Sequence, residues 1–125
     1  MEKEGFLLDS DIFIDHLRGF SAATSLFRNL NDVYFSAVTE VELLGGRANE
    51  IRIIRTDLLR LLVRFKKISV GNPLASLAGD IVRTYGLEVP DAIIAATAIT
   101  EGLVLLTRNT RHFSVVPGLK IRSPY

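Results

Sequence analysis

Gly5-Phe6-Leu7-Leu8-Asp9-Ser10 is the stretch that decides how this chain is read. A short unbroken apolar run suits a strand covered on both faces, and the Asp-Ser that ends it suits a loop or helix start. The same pattern returns at Val33-Tyr34-Phe35-Ser36 and at Leu103-Val104-Leu105-Leu106-Thr107, with weaker strand signals at residues 68–70 and 119–122. Pro117-Gly118 and Pro124 bound the last of these and mark it as an edge strand.

Between these runs the apolar spacing becomes helical. Ile12, Phe13 and Leu17 recur about one turn apart, and Ser21 caps a helix running through Asn29. Ser36 caps another over residues 37–44, which Gly45-Gly46 stops because glycine readily takes the left-handed conformation used at helix ends. Over residues 50–65, Ile51, Ile54, Leu58, Leu61, Leu62 and Phe65 form one amphipathic stripe. Pro73 begins a helix that Gly86 stops, and Pro90-Asp91 opens the apolar segment at residues 92–99. Strands alternating with helices predict an α/β fold with a mainly parallel sheet, whose ligands bind beyond the carboxyl ends of the strands. Asp9, Ser36 and Thr107 should mark that edge.

At 125 residues the chain is expected to form one domain spanning residues 1–125, since no linker, repeat or low-complexity tract divides it. The absence of cysteine excludes disulfides, thiolate zinc sites and a cysteine nucleophile. A formal charge of +1 names no partner by itself, but the charge is segregated. Residues 1–46 carry eight acids and three bases and residues 47–67 seven bases and two acids, so an acidic third adjoins a basic stretch. Met1-Glu2-Lys3-Glu4 lacks the basic start and apolar run of a signal peptide, and no apolar stretch reaches the roughly 20 residues that span a bilayer. A cytoplasmic protein without a membrane partner is expected.

Three acids, Asp9, Glu42 and Asp91, fall where apolar elements meet polar element ends. Carboxylate oxygens suit hard cations, and Mg²⁺ typically takes one or two of them together with waters and substrate phosphate. Such a cation polarises a phosphodiester and lowers the pKa of a bound water.

At these residues the sequence resembles a known family. Leu7-Leu8-Asp9-Ser10, Ser36-Ala37-Val38-Thr39 leading to Glu42-Leu43-Leu44-Gly45, Asp91-Ala92-Ile93-Ile94-Ala95-Ala96-Thr97-Ala98 and Thr107-Arg108-Asn109 follow one another as in a PIN domain, specifically a VapC-type toxin. The resemblance covers nearly the whole chain and implies a three-layer α/β/α sandwich. It further implies a Mg²⁺- or Mn²⁺-dependent endoribonuclease in a type II toxin-antitoxin pair. Asp9, Glu42 and Asp91 would be its catalytic, metal-binding acids and a metal-activated water its nucleophile, leaving a 5′-phosphate and a 3′-hydroxyl. A homodimer and a VapB-like antitoxin are implied partners. Where the family often has a further acid, this chain has Asn109 and His112. Ser10, Asp11, Thr107 and Asn109 are assigned to the surroundings of the acids or to substrate.

Each residue also has a plainer reading. Asp9 suits a turn or helix cap, Asp91 a favourable charge at a helix N-terminus, and Asp11 a surface cap. Glu40 and Glu42 lie two apart and face nearly opposite ways; the family spacing selects Glu42 and leaves Glu40 solvated. His112 reads as a solvated loop histidine between Arg108 and Arg111, and Arg52, Arg55, Arg60 and Arg64 as the wet side of a helix. Beside a nuclease site, Arg52, Arg55, Arg108, Arg111 and His112 become candidate contacts for RNA or an antitoxin. Two rival readings are a degenerate PIN domain that only binds RNA or protein, and a haloacid-dehalogenase-type phosphatase using Asp9 and Asp11.

Overall fold

The computed structural model describes residues 4–47 and 55–125. In chain order its strands are Phe6–Leu8 (β1), Val33–Ser36 (β2), Lys66–Ile68 (β3), Val104–Leu106 (β4) and Ile121–Arg122 (β5). Its helices are Ser10–Leu17 (α1), Ser21–Asn29 (α2), Ala37–Glu42 (α3), Arg55–Leu62 (α4), Asn72–Tyr85 (α5), Val89–Glu101 (α6) and Thr110–Phe113 (α7). The strands form one sheet in the order β3-β2-β1-β4-β5. Every pairing among them is parallel, as the alternation of elements requires.

Side chains alternate across a strand, and the two sides of β1 and β4 enter different cores. Leu7 and Leu105 pack with Leu74, Ile81, Ile94 and Phe113, under α5, α6 and α7. Leu8, Val104 and Leu106 pack with Ile12, Phe13, Phe27 and Leu58, under α1, α2 and α4. Burial on both faces explains why these strands read as continuous apolar runs and establishes the three layers. Phe13 joins the second core together, its ring 5.6 Å from Phe27, 6.0 Å from Phe35 and 5.7 Å from Phe65. Gly5 precedes β1 where a Cβ would stand 2.6 Å from Leu103 Cδ2 and 2.9 Å from Asp32 Oδ2, so a larger residue there would have to displace both side chains.

Several boundaries differ from the sequence expectation. β3 lies at Lys66–Ile68 rather than at residues 68–70, paired in the register Tyr34↔Lys66, Phe35↔Lys67 and Ser36↔Ile68. An edge strand is half solvated, so apolar content locates it poorly, and its lysines discourage pairing with another chain. Ser21 is the first residue of α2, with Phe20 in the cap position and no side-chain cap bond. Ser36 does cap α3, its hydroxyl accepting from the Val38 N–H at 3.1 Å. The chain then passes Gly45 in a wider helical turn, Leu43–Arg47, and reaches the left-handed region at Gly46, φ 143°. Of the expected helix at residues 50–65, residues 50–54, with Arg52, lie outside the described residues. Among the described residues no helix is long and apolar enough to cross a membrane.

Candidate active site

β1 and β4 are hydrogen-bonded neighbours, yet the chain leaves β1 for β2 on its other side. Such a reversal opens a crevice at the carboxyl ends of the two strands. Asp9 and Thr107 are the residues that follow those strands, and they meet. The Asp9 N–H donates to the Leu106 carbonyl at 3.1 Å, and the Thr107 hydroxyl donates to Asp9 Oδ2 at 2.9 Å. Asp9 also caps α1, its Oδ1 accepting from the Ser10 N–H at 2.8 Å. The cap reading of Asp9 therefore holds, and the same carboxylate stands at the carboxyl ends of β1 and β4. Ser10 and Thr107 are fully buried behind it. Thr107 Oγ1 in turn accepts the Asn109 N–H at 3.0 Å, so the hydroxyl fixes the loop after β4 as well as the acid.

Asp11 lies in the first turn of α1 and, against the surface-cap reading, is only 7% exposed. Its Oδ2 accepts the Arg108 N–H at 3.1 Å, whereas Oδ1 is buried without a hydrogen-bond partner. Burial, and next the charge on Asp9, raise its pKa from 3.8 to about 6. The backbone bond from Arg108 opposes that rise.

Arg108 continues outward, its Nε 2.7 Å from Asp15 Oδ2. Asp15 sits one helical turn beyond Asp11, at the i, i+4 spacing that places both on one face of α1. The hydroxyl of Tyr125 donates to the same Asp15 oxygen, a contact across 110 residues that no local pattern announces.

Asp91 lies in the first turn of α6, which begins at Val89, two residues earlier than expected. His112 stands on α7, half-buried and edge-on to Phe113 at 5.4 Å, with Nε2 3.0 Å from Asp91 Oδ2. It is thus a partner of Asp91 rather than a solvated loop histidine. Its signal was the helical turn opened just after Thr107, with Asn109 at the cap position making no side-chain cap bond. Glu42 ends α3, half-buried, and α3 packs on both β2 and α6, the helix that carries Asp91. Glu40 is not simply solvated: its carboxylate is 3.4 Å from Lys67 Nζ on β3. Arg111 on α7 and Arg55 at the start of α4 are exposed.

Among the described residues no three acids, cysteines or histidines form a ready-made metal cage. The donor chemistry nevertheless fits a hard cation that keeps most of its waters. Asp9 and the partnerless Asp11 Oδ1 offer buried oxygens whose charges repel one another, and a divalent ion would relieve that repulsion.

An α/β/α domain with a wholly parallel sheet and buried carboxylates at its switch point has clear relatives. A model of the PIN domain matches residues 6–119. The chain belongs to the PIN-domain family. Within that family it is similar to Ribonuclease VapC10 of Mycobacterium tuberculosis, 37% identical over 123 residues that cover 91% of this chain and 90% of the relative. Ribonuclease VapC19 of the same organism is 33% identical over 126 residues, covering 91% and 96%. A solved toxin-antitoxin complex from Klebsiella pneumoniae contains a chain that superposes with a TM-score of 0.82 at 30% identity, covering 97% of this chain and 98% of that one. Family membership sets aside the phosphatase reading of Asp9 and Asp11.

Proposed function

We propose that this protein is an endoribonuclease toxin of the VapC type, cutting RNA phosphodiesters with the help of Mg²⁺ or Mn²⁺ and restrained by a VapB-like antitoxin. The observation that carries the reading is the Asp9–Thr107 junction at the switch point, in a chain 37% identical along nine-tenths of its length to a VapC ribonuclease. Asp9, Glu42 and Asp91 would hold the cation, with Asp11 Oδ1 beside Asp9 as a further oxygen. When bound, that ion supplies Lewis-acid polarisation of the phosphate and a water of lowered pKa.

The chain's own residues do the remainder. The Ser10 N–H and the Thr107 hydroxyl hold the two oxygens of Asp9 in one orientation, so its position is set before substrate arrives. His112 holds Asp91 in the same way through Nε2. The Arg108 N–H fixes Asp11, and the Asn109 N–H, donated to Thr107, closes the loop over the junction. Arg55, Arg108 and Arg111, with Arg52, offset the acids' repulsion of an RNA backbone, an attraction that weakens with salt. Attack of water on the phosphorus would break the P–O3′ bond, the leaving oxygen taking up a proton, and so yield a 5′-phosphate and a 3′-hydroxyl.

A homodimer working in the cytoplasm completes the reading. Purified protein given RNA with and without divalent ion tests it: strand scission lost in EDTA supports the proposal, and scission unaffected by EDTA overturns the metal dependence. Light scattering on the antitoxin-free protein checks the dimer, which a monomeric mass would exclude.

A further inference from the structure

The Arg108 guanidinium is held at two levels. Its backbone N–H is committed to Asp11 at 3.1 Å, which fixes the root of the side chain at the site. Its Nε is committed to Asp15 Oδ2 at 2.7 Å, while the side chain as a whole remains half exposed. Asp15 is only 13% exposed and receives a second donor on that oxygen, the hydroxyl of Tyr125. Tyr125 is seated by Phe20, whose ring meets it edge-on at 5.0 Å. Burial, and then the carboxylate of Asp15, push the phenol's pKa upward, so the hydroxyl remains a donor at every working pH.

An ion pair at a protein surface ordinarily contributes little, because a long side chain must be frozen to form it. Here the freezing is shared among Asp15, Tyr125 and Phe20, residues from the end of α1, the following turn and the far end of the chain. Holding an arginine by Nε leaves its two terminal nitrogens, the planar pair suited to bidentate capture of a phosphate. We propose that Arg108 is a phosphate-binding residue beside the catalytic acids, and that Asp15 and Tyr125 are positioning residues that aim it. This deepens the ribonuclease reading and rests on it. The ligand is a backbone phosphate of single-stranded RNA next to the bond that is cut.

The test uses the full chain and a fluorescein-labelled oligouridylate, with binding followed by fluorescence anisotropy in Ca²⁺ over a range of salt. Arg108→Ala should weaken binding and lower the slope of log affinity against log salt by about one phosphate contact. Tyr125→Phe keeps the ring against Phe20 and removes only the hydroxyl; it should weaken binding roughly three- to tenfold, the size of one hydrogen bond. Asp15→Asn should do at least as much. Tyr125→Phe should have no further effect when added to Arg108→Ala, because its only route to RNA is that guanidinium. Arg108→Lys should keep the salt slope without restoring full affinity and should be insensitive to Tyr125→Phe. Urea melts of each variant separate misfolding from misplacement. Additive losses in the double variant, or Tyr125→Phe changing the melt and not the binding, would reduce the cluster to a tether for the C-terminal segment and overturn the proposal. An unchanged salt slope in Arg108→Ala would overturn it as well. A wild-type protein that binds no RNA would instead refute the ribonuclease reading itself.

Discussion

Replacing Asp11 with asparagine should make the metal-free protein more stable at neutral pH, although it alters a residue of the site. Asp11 is 7% exposed, one of its oxygens has no partner, and the charge of Asp9 stands beside it. Burial and the neighbouring Asp9 raise the Asp11 pKa in the folded protein to about 6, whereas an unperturbed aspartate has 3.8. A raised pKa in an acid means the native state binds the proton more tightly than the unfolded chain does. The resulting penalty is absent below the lower value, grows between 3.8 and about 6, and is complete above that. Its size is about 3 kcal/mol for the ionised group. Asparagine keeps an acceptor for the Arg108 N–H but buries an amide N–H₂, which offsets about 1–2 kcal/mol if it finds no partner. A net gain of about 1–2 kcal/mol at neutral pH follows, or a rise of roughly 0.5–1 M in the urea midpoint. Urea melts in EDTA at about pH 7.5 and about pH 4.5 would measure it, with the advantage shrinking at the lower pH as the wild-type carboxyl takes up its proton. Mg²⁺ should then stabilise the wild type more than the variant by mass action. Equal stability of the two proteins at neutral pH, or a difference that does not change with pH, would refute the assignment of strain to the ionised Asp11.

Other perturbations have equally definite outcomes. Thr107→Val leaves Asp9 Oδ2 and the Asn109 N–H without the hydroxyl that joins them and should cost about 1–3 kcal/mol in a urea melt, with a fall in RNA cleavage that Thr107→Ser largely restores; undiminished cleavage would mean that Asp9 does not need this anchor. Gly5→Ala forces a Cβ to within 2.6 Å of Leu103 and should destabilise the fold by about 1–3 kcal/mol while leaving the site residues untouched, as thermal unfolding would register. Reversing charge at Arg52 and Arg55 together should weaken RNA binding at low salt and have little effect at high salt; unchanged binding at low salt would remove these two arginines from the RNA path.

The sheet was largely legible in the sequence because its central strands are buried on both faces, which leaves unbroken apolar runs at Phe6-Leu7-Leu8 and Val104-Leu105-Leu106. The edge strand Lys66–Ile68 was displaced by two residues because half-solvated strands carry no such run. Asp9 and Thr107 could be foreseen as edge residues, since each follows a strand that can be read. Their direct bond depends on β1 and β4 being neighbours, which is a matter of topology rather than of either segment. The same limit applies to His112 and Asp91, and to Tyr125 and Asp15, where the partners sit on different elements that the sheet brings together. The surface-cap reading of Asp11 fails for a different reason: a polar residue in a first helical turn is usually solvated, whereas this one is buried and meets the loop after β4 through the Arg108 N–H. Local patterns thus indicated the elements and the residues at their ends, while the contacts between those residues came from the order of the strands.

The most direct test of the proposed activity is to incubate purified, antitoxin-free protein with total cellular RNA and Mg²⁺ or Mn²⁺, beside EDTA and Asp9→Asn controls, and to map the new 5′ ends. A metal-dependent nuclease centred on Asp9 should produce discrete cuts bearing 5′-phosphates, lost in both controls. RNA left intact under every condition, or cut equally by Asp9→Asn, would contradict it.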